Sequence, residues 1–453
     1  MAEAWAFPLP AAFSTPDEYL AELTEFYLDP FVQQLAGHVH ILDFFATDPD
    51  LFEQILPAEW VQYMDAQPDA DAVIDYLISG TPGSLPPPPP SLAAFIGRTF
   101  RLSMVRTPEQ TAKGRPRTPI TVGMSPKKVH ECDLLSKAIA ELCARTETTH
   151  VIDLGSGKGY LSRMLAHDHG CDVIAVENME DRAKGAEALD ALFLRKSRKT
   201  GEPQMRAGGK FVDSGDLADL IDRAGVRGQK VVMTGLHACG NLSHHAIRAL
   251  VDTPEIAAVA VVGCCYNLMT EQAVEADSIG YPMSRTLAAA RIPLPLTARM
   301  LACQAPATWT RATREAFFTR HFYRALLQRV FLDRGLVGPG QPKVLIGSLR
   351  KQWYASFAAY CAGASGKLAA GRPGWPSVDA AVAEQYLGQY GTRRRQLALL
   401  WTLMACTVAP LTEAVIHLDR FYFVREAGAR HAAVRVVFDQ ALSARNLVVV
   451  GIL

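Results

Sequence analysis

The segment Asp153-Leu-Gly155-Ser156-Gly157-Lys-Gly159 most narrows what this chain can fold into. An apolar run, Val151-Ile152 within THVIDLG, leads into it, and YLSRMLAHD with helical character leaves it. Strand, glycine turn and helix in that order form a ligand-holding loop, because the backbone must turn tightly and approach its ligand without a Cβ. The same alternation continues downstream. CDVIAVE reads as a second strand, residues 178–199 as a long polar helix, and FVD at 211–213 as a weak third strand. KVVMTGLH and IAAVAVVGCC are two further clear strands, and AAVRVVFD and NLVVVGIL, joined by QALSAR, close the chain. Strands alternating with helices predict a parallel sheet with helices on its faces, an α/β fold closed by a C-terminal β-hairpin.

Charge narrows the ligand. The dinucleotide fingerprint G-x-G-x-x-G needs a glycine where this chain has Tyr160, so a dehydrogenase ranks last. A carboxylate, Asp153, stands two residues before Gly155, where it would repel a pyrophosphate and attract a sulfonium cation. Glu177 ends the second strand, where an acid accepts from both ribose hydroxyls. Asp216, after the weak strand, is placed to accept from an adenine amino group or to cap a helix. The expected cofactor is therefore S-adenosylmethionine, held by Asp153, Gly155, Ser156, Gly157, Gly159, Glu177 and Asp216. The expected fold is the class I, Rossmann-like methyltransferase sheet.

Two strand ends point at the same pocket, since ligands in open α/β sheets sit at the carboxyl ends of strands. One carries His237, Cys239 and Asn241, and its neighbour carries Cys264, Cys265 and Tyr266. Three readings compete. His237 or Asn241 orients the methyl acceptor, with His237 as general base and Tyr266 stacking on the acceptor. His237, Cys239 and the 264/265 pair bind zinc, against which stand the missing C-x-x-C spacing and the adjacency of two ligands. Or these are small residues packing tight strand ends, as free cysteines commonly do. The expected metal content is none.

Residues 1–80 read as helical, with Thr15-Pro16-Asp17-Glu18 as a helix start. A five-proline run, Pro86 to Pro90, interrupts this region. The expected organisation is a helical region with a Pro-rich linker over 1–120 and a methyltransferase domain over 121–453. That domain holds a helical insertion at about 270–430 before the hairpin at about 431–453. Lys plus Arg equals Asp plus Glu at 46 each, so no global field selects nucleic acid. Basic runs at 113–117, 195–199 and 393–395 favour RNA weakly, and Lys127, Lys128, His130 and Glu131 either cover the pocket or meet an anionic substrate. No apolar stretch of about 18 residues suggests a membrane span, and the N-terminus lacks a signal-peptide pattern. Nine cysteines without a disulfide framework suit a cytoplasmic or nuclear protein.

MSPKKVHE, DLGSGKGYLS, GLHACGNLS, GCCYNLMT and the ending FDQALSARNLVVVGIL together resemble the methyltransferase-like protein 25 family, which includes members named for a ribosomal-RNA-adenine-dimethylase domain. The resemblance runs from about residue 120 to the end. It implies an S-adenosylmethionine-dependent methyltransferase, carried onto Asp153, Gly155, Gly157 and Glu177. HACG and CCY are also similar to strand-end signatures of the tRNA acceptor-stem 2′-O-methyltransferase, whose second signature continues with histidines where this chain has Tyr266-Asn267. Adenine dimethylation is not expected, because no N/D-P-P-[YF] motif follows the strand that ends at His237. The expected function is methyl transfer to a macromolecule, RNA before protein. A non-catalytic adaptor that binds RNA or a protein partner, and a small-molecule methyltransferase, are the alternatives.

Overall fold

The apolar runs become the centre of an eight-stranded sheet in the computed structural model. It describes residues 5–108, 121, 123–178, 205–209, 215–272, 279–338, 340–341 and 343–453. The strands are β1 (Trp5–Ala6), β2 (His150–Leu154), β3 (Asp172–Val176), β4 (Met205–Gly209), β5 (Val231–Ala238), β6 (Ile256–Gly263), β7 (His431–Val436) and β8 (Leu447–Ile452). Their order across the sheet is β1-β7-β8-β6-β5-β2-β3-β4. β8 runs antiparallel to both β6 and β7, and the other pairs are parallel. Without β1 this is a doubly wound sheet that starts at β2, winds outward both ways and closes with an antiparallel hairpin, as expected. The switch point lies between β2 and β5, so the loop after β2 and the ends of β5 and β6 share one rim.

Two strands depart from expectation. β1 is an added edge strand whose register sets Trp5 beside Ala432. The third strand of the series is Met205–Gly209; the run expected there, 211–213, and the polar helix expected at 178–199 fall largely or wholly outside the described residues.

Helices cover the sheet because their apolar stripes have nowhere else to go. α1 (Pro16–Tyr27) starts as its sequence predicts: the Thr15 hydroxyl accepts from the Glu18 amide and the Glu18 carboxylate accepts from the Thr15 amide. α2 (Pro126–Thr146) is capped by Ser125 and buries Cys132, Leu135, Ile139 and Leu142, spaced three and four apart. That stripe packs with Val151, Val173, Val232 and Ala260 of the sheet. Burying each such aliphatic side chain stabilises the fold by about 1.5–3 kcal/mol. α3 (Tyr160–His169) follows the glycine loop, α4 (Gly215–Ala224) precedes β5, and α5 (Leu242–Asp252) joins β5 to β6.

The chain gathers into two compact units. One unit gathers 1–28, 101–303 and 410–453, and contains the whole sheet. The other gathers 29–100 with 304–409 and is helical. Residues 29–100 join part of the insertion because aromatic contacts bind them, as where Phe45 meets Phe322 and Tyr390 at 5.9 and 5.1 Å. The Arg393–Arg395 run is consumed inside this unit. Arg393 grips Asp50 with two hydrogen bonds of 2.6 and 2.8 Å, Arg394 reaches Glu315, and Arg395 donates to the carbonyls of Met64 and Gln67. All three guanidinium groups thus have partners within the unit.

One helix, α6 (Arg394–Glu426), belongs to a helical stretch long and apolar enough by composition to cross a membrane. The apolar window is 89% buried in protein and the helix carries buried Glu413, His417, Asp419 and Arg420, which marks it as a core helix.

Candidate active site

The loop between β2 and α3 needs its glycines. Gly155, Gly157 and Gly159 have φ of +70, +60 and +68°, a region costing other residues about 1–2 kcal/mol each. The loop is tied to β3: the amides of Gly155 and Ser156 and the Ser156 hydroxyl all donate to the Val176 carbonyl. Glu177 then reaches back, and its Oε2 accepts from the Gly157 amide at 2.9 Å. The strand-end acid and the glycine loop thus form one unit. A Cβ built on Gly157 meets nothing within 4 Å, so this turn borders open space that a ligand can fill. Asp216 is the second residue of α4; its side chain lies outside the described residues.

Asp153 sits beneath that loop with 1% exposure and accepts a 2.6 Å hydrogen bond from the Ser162 hydroxyl. Burial pushes its carboxyl up to about 7, against the lowering effect of Ser162 and Lys128. A cation brought near it would favour the charged form.

At the end of β5 the chain places His237 at φ +65°, where a residue with a Cβ is strained. Its Nε2 lies 3.1 Å from Oε2 of Glu131, and its side chain is 27% exposed. Glu131 comes from the first turns of α2 and is fully buried. Its Oε1 accepts from the Ser443 hydroxyl at 2.7 Å, and Lys128 stands 3.0 Å from Oε2. Burial alone would raise the Glu131 carboxyl; the hydrogen bond and charge of His237, Ser443 and Lys128 outweigh it and hold the group down at about 2. In the neutral ring, the carboxylate beside Nε2 favours the Nε2–H tautomer and leaves Nδ1 to accept a proton.

Two expected site residues have other tasks. Asn241 spends its amide on the neighbouring loop: Nδ2 donates to Thr270 Oγ1 at 2.8 Å and to the Ile279 carbonyl at 3.0 Å, and Oδ1 accepts from the Thr270 amide. These bonds staple that loop to the end of β5. Tyr266 is 1% exposed, donates to Glu413 Oε1 at 2.8 Å and has the Arg445 guanidinium 5.5 Å from its ring centre. It therefore cannot stack on a substrate. Glu413 in turn pairs with Arg106 and Arg445, a buried charge cluster behind the rim.

The thiols do meet. Cys239 Sγ lies 3.3 Å from both Cys264 Sγ and Cys265 Sγ, which are 3.5 Å from each other. Gly240 makes this possible: a Cβ there would stand 2.6 Å from the Leu268 carbonyl oxygen, so only glycine lets the two strand-end turns approach. His237 faces Glu131 and is not part of the group. A cleft of ≈ 450 Å³ lined by Cys143, Thr149, His150 and Lys230 lies at the opposite, amino-terminal end of β2 and β5, away from this chemistry.

The pairing of Glu131 with His237 spans 106 residues, and sequence reasoning missed it, as it missed Ser443. Both partners stand inside motifs, MSPKKVHE and QALSAR, and a polar side chain held within each is the signal that points to them.

The model of a family described as a methyltransferase domain matches residues 127–272. "Probable methyltransferase-like protein 25" of Mus musculus is 26% identical over 300 residues, 62% of this chain and 48% of that protein. The Homo sapiens protein of the same name is 28% identical over 229 residues, 49% of this chain and 36% of its own length. The matched part thus spans less than half of these relatives. A crystal structure of coclaurine N-methyltransferase bound to N-methylheliamine and SAH aligns with 86% of this chain and 94% of its own at 11% identity. Its TM-score of 0.22 carries no structural argument, and the fold rests on the strand order above. Residues 127–272, which include the glycine loop, Glu177, Glu131 and His237, are a methyltransferase domain in a chain distantly homologous to probable methyltransferase-like protein 25.

Proposed function

We propose that the chain is an S-adenosylmethionine-dependent methyltransferase in which His237, held by Glu131, accepts a proton from the methyl acceptor. The observation that carries the cofactor is the Gly157–Glu177 hydrogen bond, which joins a positive-φ glycine cradle to a strand-end carboxylate at the switch point of the sheet. Glu177 and the Gly155–Gly159 loop would hold the nucleoside end, and buried Asp153 would favour the sulfonium. Bound there, the cofactor supplies an electrophilic methyl group. The protein's work is to position the acceptor, exclude water and remove a proton.

The acceptor we favour is RNA. Lys127 and Lys128 both stand against the single charge of Glu131, at 3.7 and 3.0 Å, beside a partly exposed histidine. Two ammonium groups beside one carboxylate put local positive charge next to His237, which suits a phosphate-bearing substrate. The other two basic runs expected to help lie largely or wholly outside the described residues.

Calorimetric titration of the full chain with S-adenosylmethionine, beside Glu177→Ala, tests the reading. Losing a charge-assisted hydrogen bond should weaken binding by on the order of 1.5–3 kcal/mol. A folded wild type that binds no cofactor would hand the lead to the adaptor role.

A further inference from the structure

Beyond methyl transfer, the structure holds a group of side chains whose geometry has no use in that reaction. Cys239, Cys264 and Cys265 come from two neighbouring strand ends, and all three sulfurs lie within 4.8 Å of one another. Cys239 is equidistant from the other two, at 3.3 Å. A disulfide would draw one pair to about 2 Å and leave the third thiol aside. An equal approach to both is what a shared central atom produces. In a tetrahedral site with Zn–S of about 2.3 Å, the sulfurs stand about 3.8 Å apart, so the triangle needs to open by only a few tenths of an ångström. Closed packing does not explain the crowding either, because Cys239 is exposed and the other two are half-buried.

A second observation concerns charge. Arg420 is 1% exposed, and among its nitrogens Nε and Nη1 have no hydrogen-bond partner. Its Nη1 lies against Gly263, the residue before the cysteine pair, so closely that no Cβ fits there. Buried guanidinium N–H groups without a partner are rare and costly. Three thiolates around a divalent zinc carry one net negative charge, which a buried guanidinium against Gly263 would favour.

We propose that Cys239, Cys264 and Cys265 bind one zinc ion as thiolates, with the fourth coordination position open to solvent on the exposed side of Cys239. Cys303 stands outside the group of three sulfurs that lie within reach of one another; its thiol contacts the Arg299 carbonyl and Asn267 Oδ1, both at 3.3 Å. A zinc site with three protein ligands and one open position binds water or an incoming ligand, and structural sites are closed by a fourth residue. Binding releases the thiol protons to solvent, and no redox step is involved.

The test uses the full chain, purified under a thiol-free reductant, stripped with a chelator and titrated with zinc chloride against a chromophoric competitor. We expect one zinc per chain. Cys239→Ser, an exposed change that leaves the core alone, should weaken it at least about tenfold, as should Cys265→Ser. Cys361→Ala, in the helical unit, should leave affinity unchanged. Cobalt substitution should give the intense visible bands of a tetrahedral thiolate site in wild type and lose them in Cys239→Ser. Circular dichroism confirms folding in each case. The proposal is overturned by a folded, reduced wild type that fails to compete for zinc, by equal zinc retention in Cys239→Ser, or by mass spectrometry showing Cys239 in a disulfide in metal-free protein as purified.

Discussion

Nε2 of His237 lies 3.1 Å from Oε2 of a carboxylate, Glu131, that has no exposure to solvent. The pair joins a residue at the end of β5 to one in α2, so the helix that packs the sheet also sets the ring orientation at the rim. Under the proposed mechanism, removing the ring removes proton acceptance and leaves the cofactor loop intact. His237→Ala should therefore lower methyl transfer to RNA by roughly 10²–10⁴-fold. Its affinity for S-adenosylmethionine should stay within error of wild type. A parallel loss of both in calorimetry and tritium-transfer assays would assign His237 to the fold and not to the chemistry.

Glu131 makes a separate, thermodynamic prediction. Its folded pKa, about 2, lies below the ordinary 4.5, so the folded state holds the charged form more tightly than the unfolded chain does. That stabilisation is full above about pH 4.5 and is lost as pH falls toward 2. With about 1.4 kcal/mol for each tenfold change in proton affinity, it amounts to roughly 3 kcal/mol. Glu131→Gln should be less stable than wild type at pH 7 in urea unfolding, with the gap closing as pH is lowered through that window. A gap independent of pH would show that packing, not charge, is what the substitution removes.

Tyr266 and Glu413 test the reassignment of Tyr266 to the interior. Tyr266→Phe keeps the ring between Arg420 and Arg445 and deletes one hydrogen bond, so it should cost about 1 kcal/mol of stability and leave transfer activity unchanged. Glu413→Gln removes the carboxylate charge that Arg106 and Arg445 share and should cost about 3–5 kcal/mol. A large kcat loss in Tyr266→Phe at unchanged stability would return the tyrosine to the site.

The parts of this protein legible in its sequence are those governed by local physics. The glycine loop, the Thr15 capping box and the apolar strands follow from backbone sterics, helix-end donors and burial, and each stands where its residues predict. What escaped was long-range pairing. Nothing in the run HACGN shows that Asn241 answers to Thr270 and Ile279, or that Gly240 must be bare because Leu268 lies on it. Nor does RRR reveal that each guanidinium has a partner in its own unit. Spacing weighed against a metal because Cys264 and Cys265 are adjacent, yet Cys239 comes across from the neighbouring strand end and meets both.

Asp153 supplies the last prediction, because its energetics oppose those of Glu131. Burial raises its folded pKa to about 7, above the ordinary 3.8. An acid shifted upward favours folding only while protonated. Its contribution is full below about pH 3.8 and is lost as pH rises through 7, so at pH 8 the native state carries a buried carboxylate that it would rather not ionise. Asp153→Asn keeps an acceptor for the Ser162 hydroxyl and cannot ionise. It should unfold at higher urea concentration than wild type at pH 8, by up to a few kcal/mol on the same tenfold scale, and equally at pH 4. The same substitution removes the charge proposed to favour the sulfonium, so S-adenosylmethionine affinity should fall while stability rises. A residue that costs the fold stability at working pH, and whose neutral replacement costs the protein its ligand, is placed for binding and not for architecture. If Asp153→Asn is instead less stable at pH 8, the carboxylate is paired in solution by a cation and the argument from burial fails.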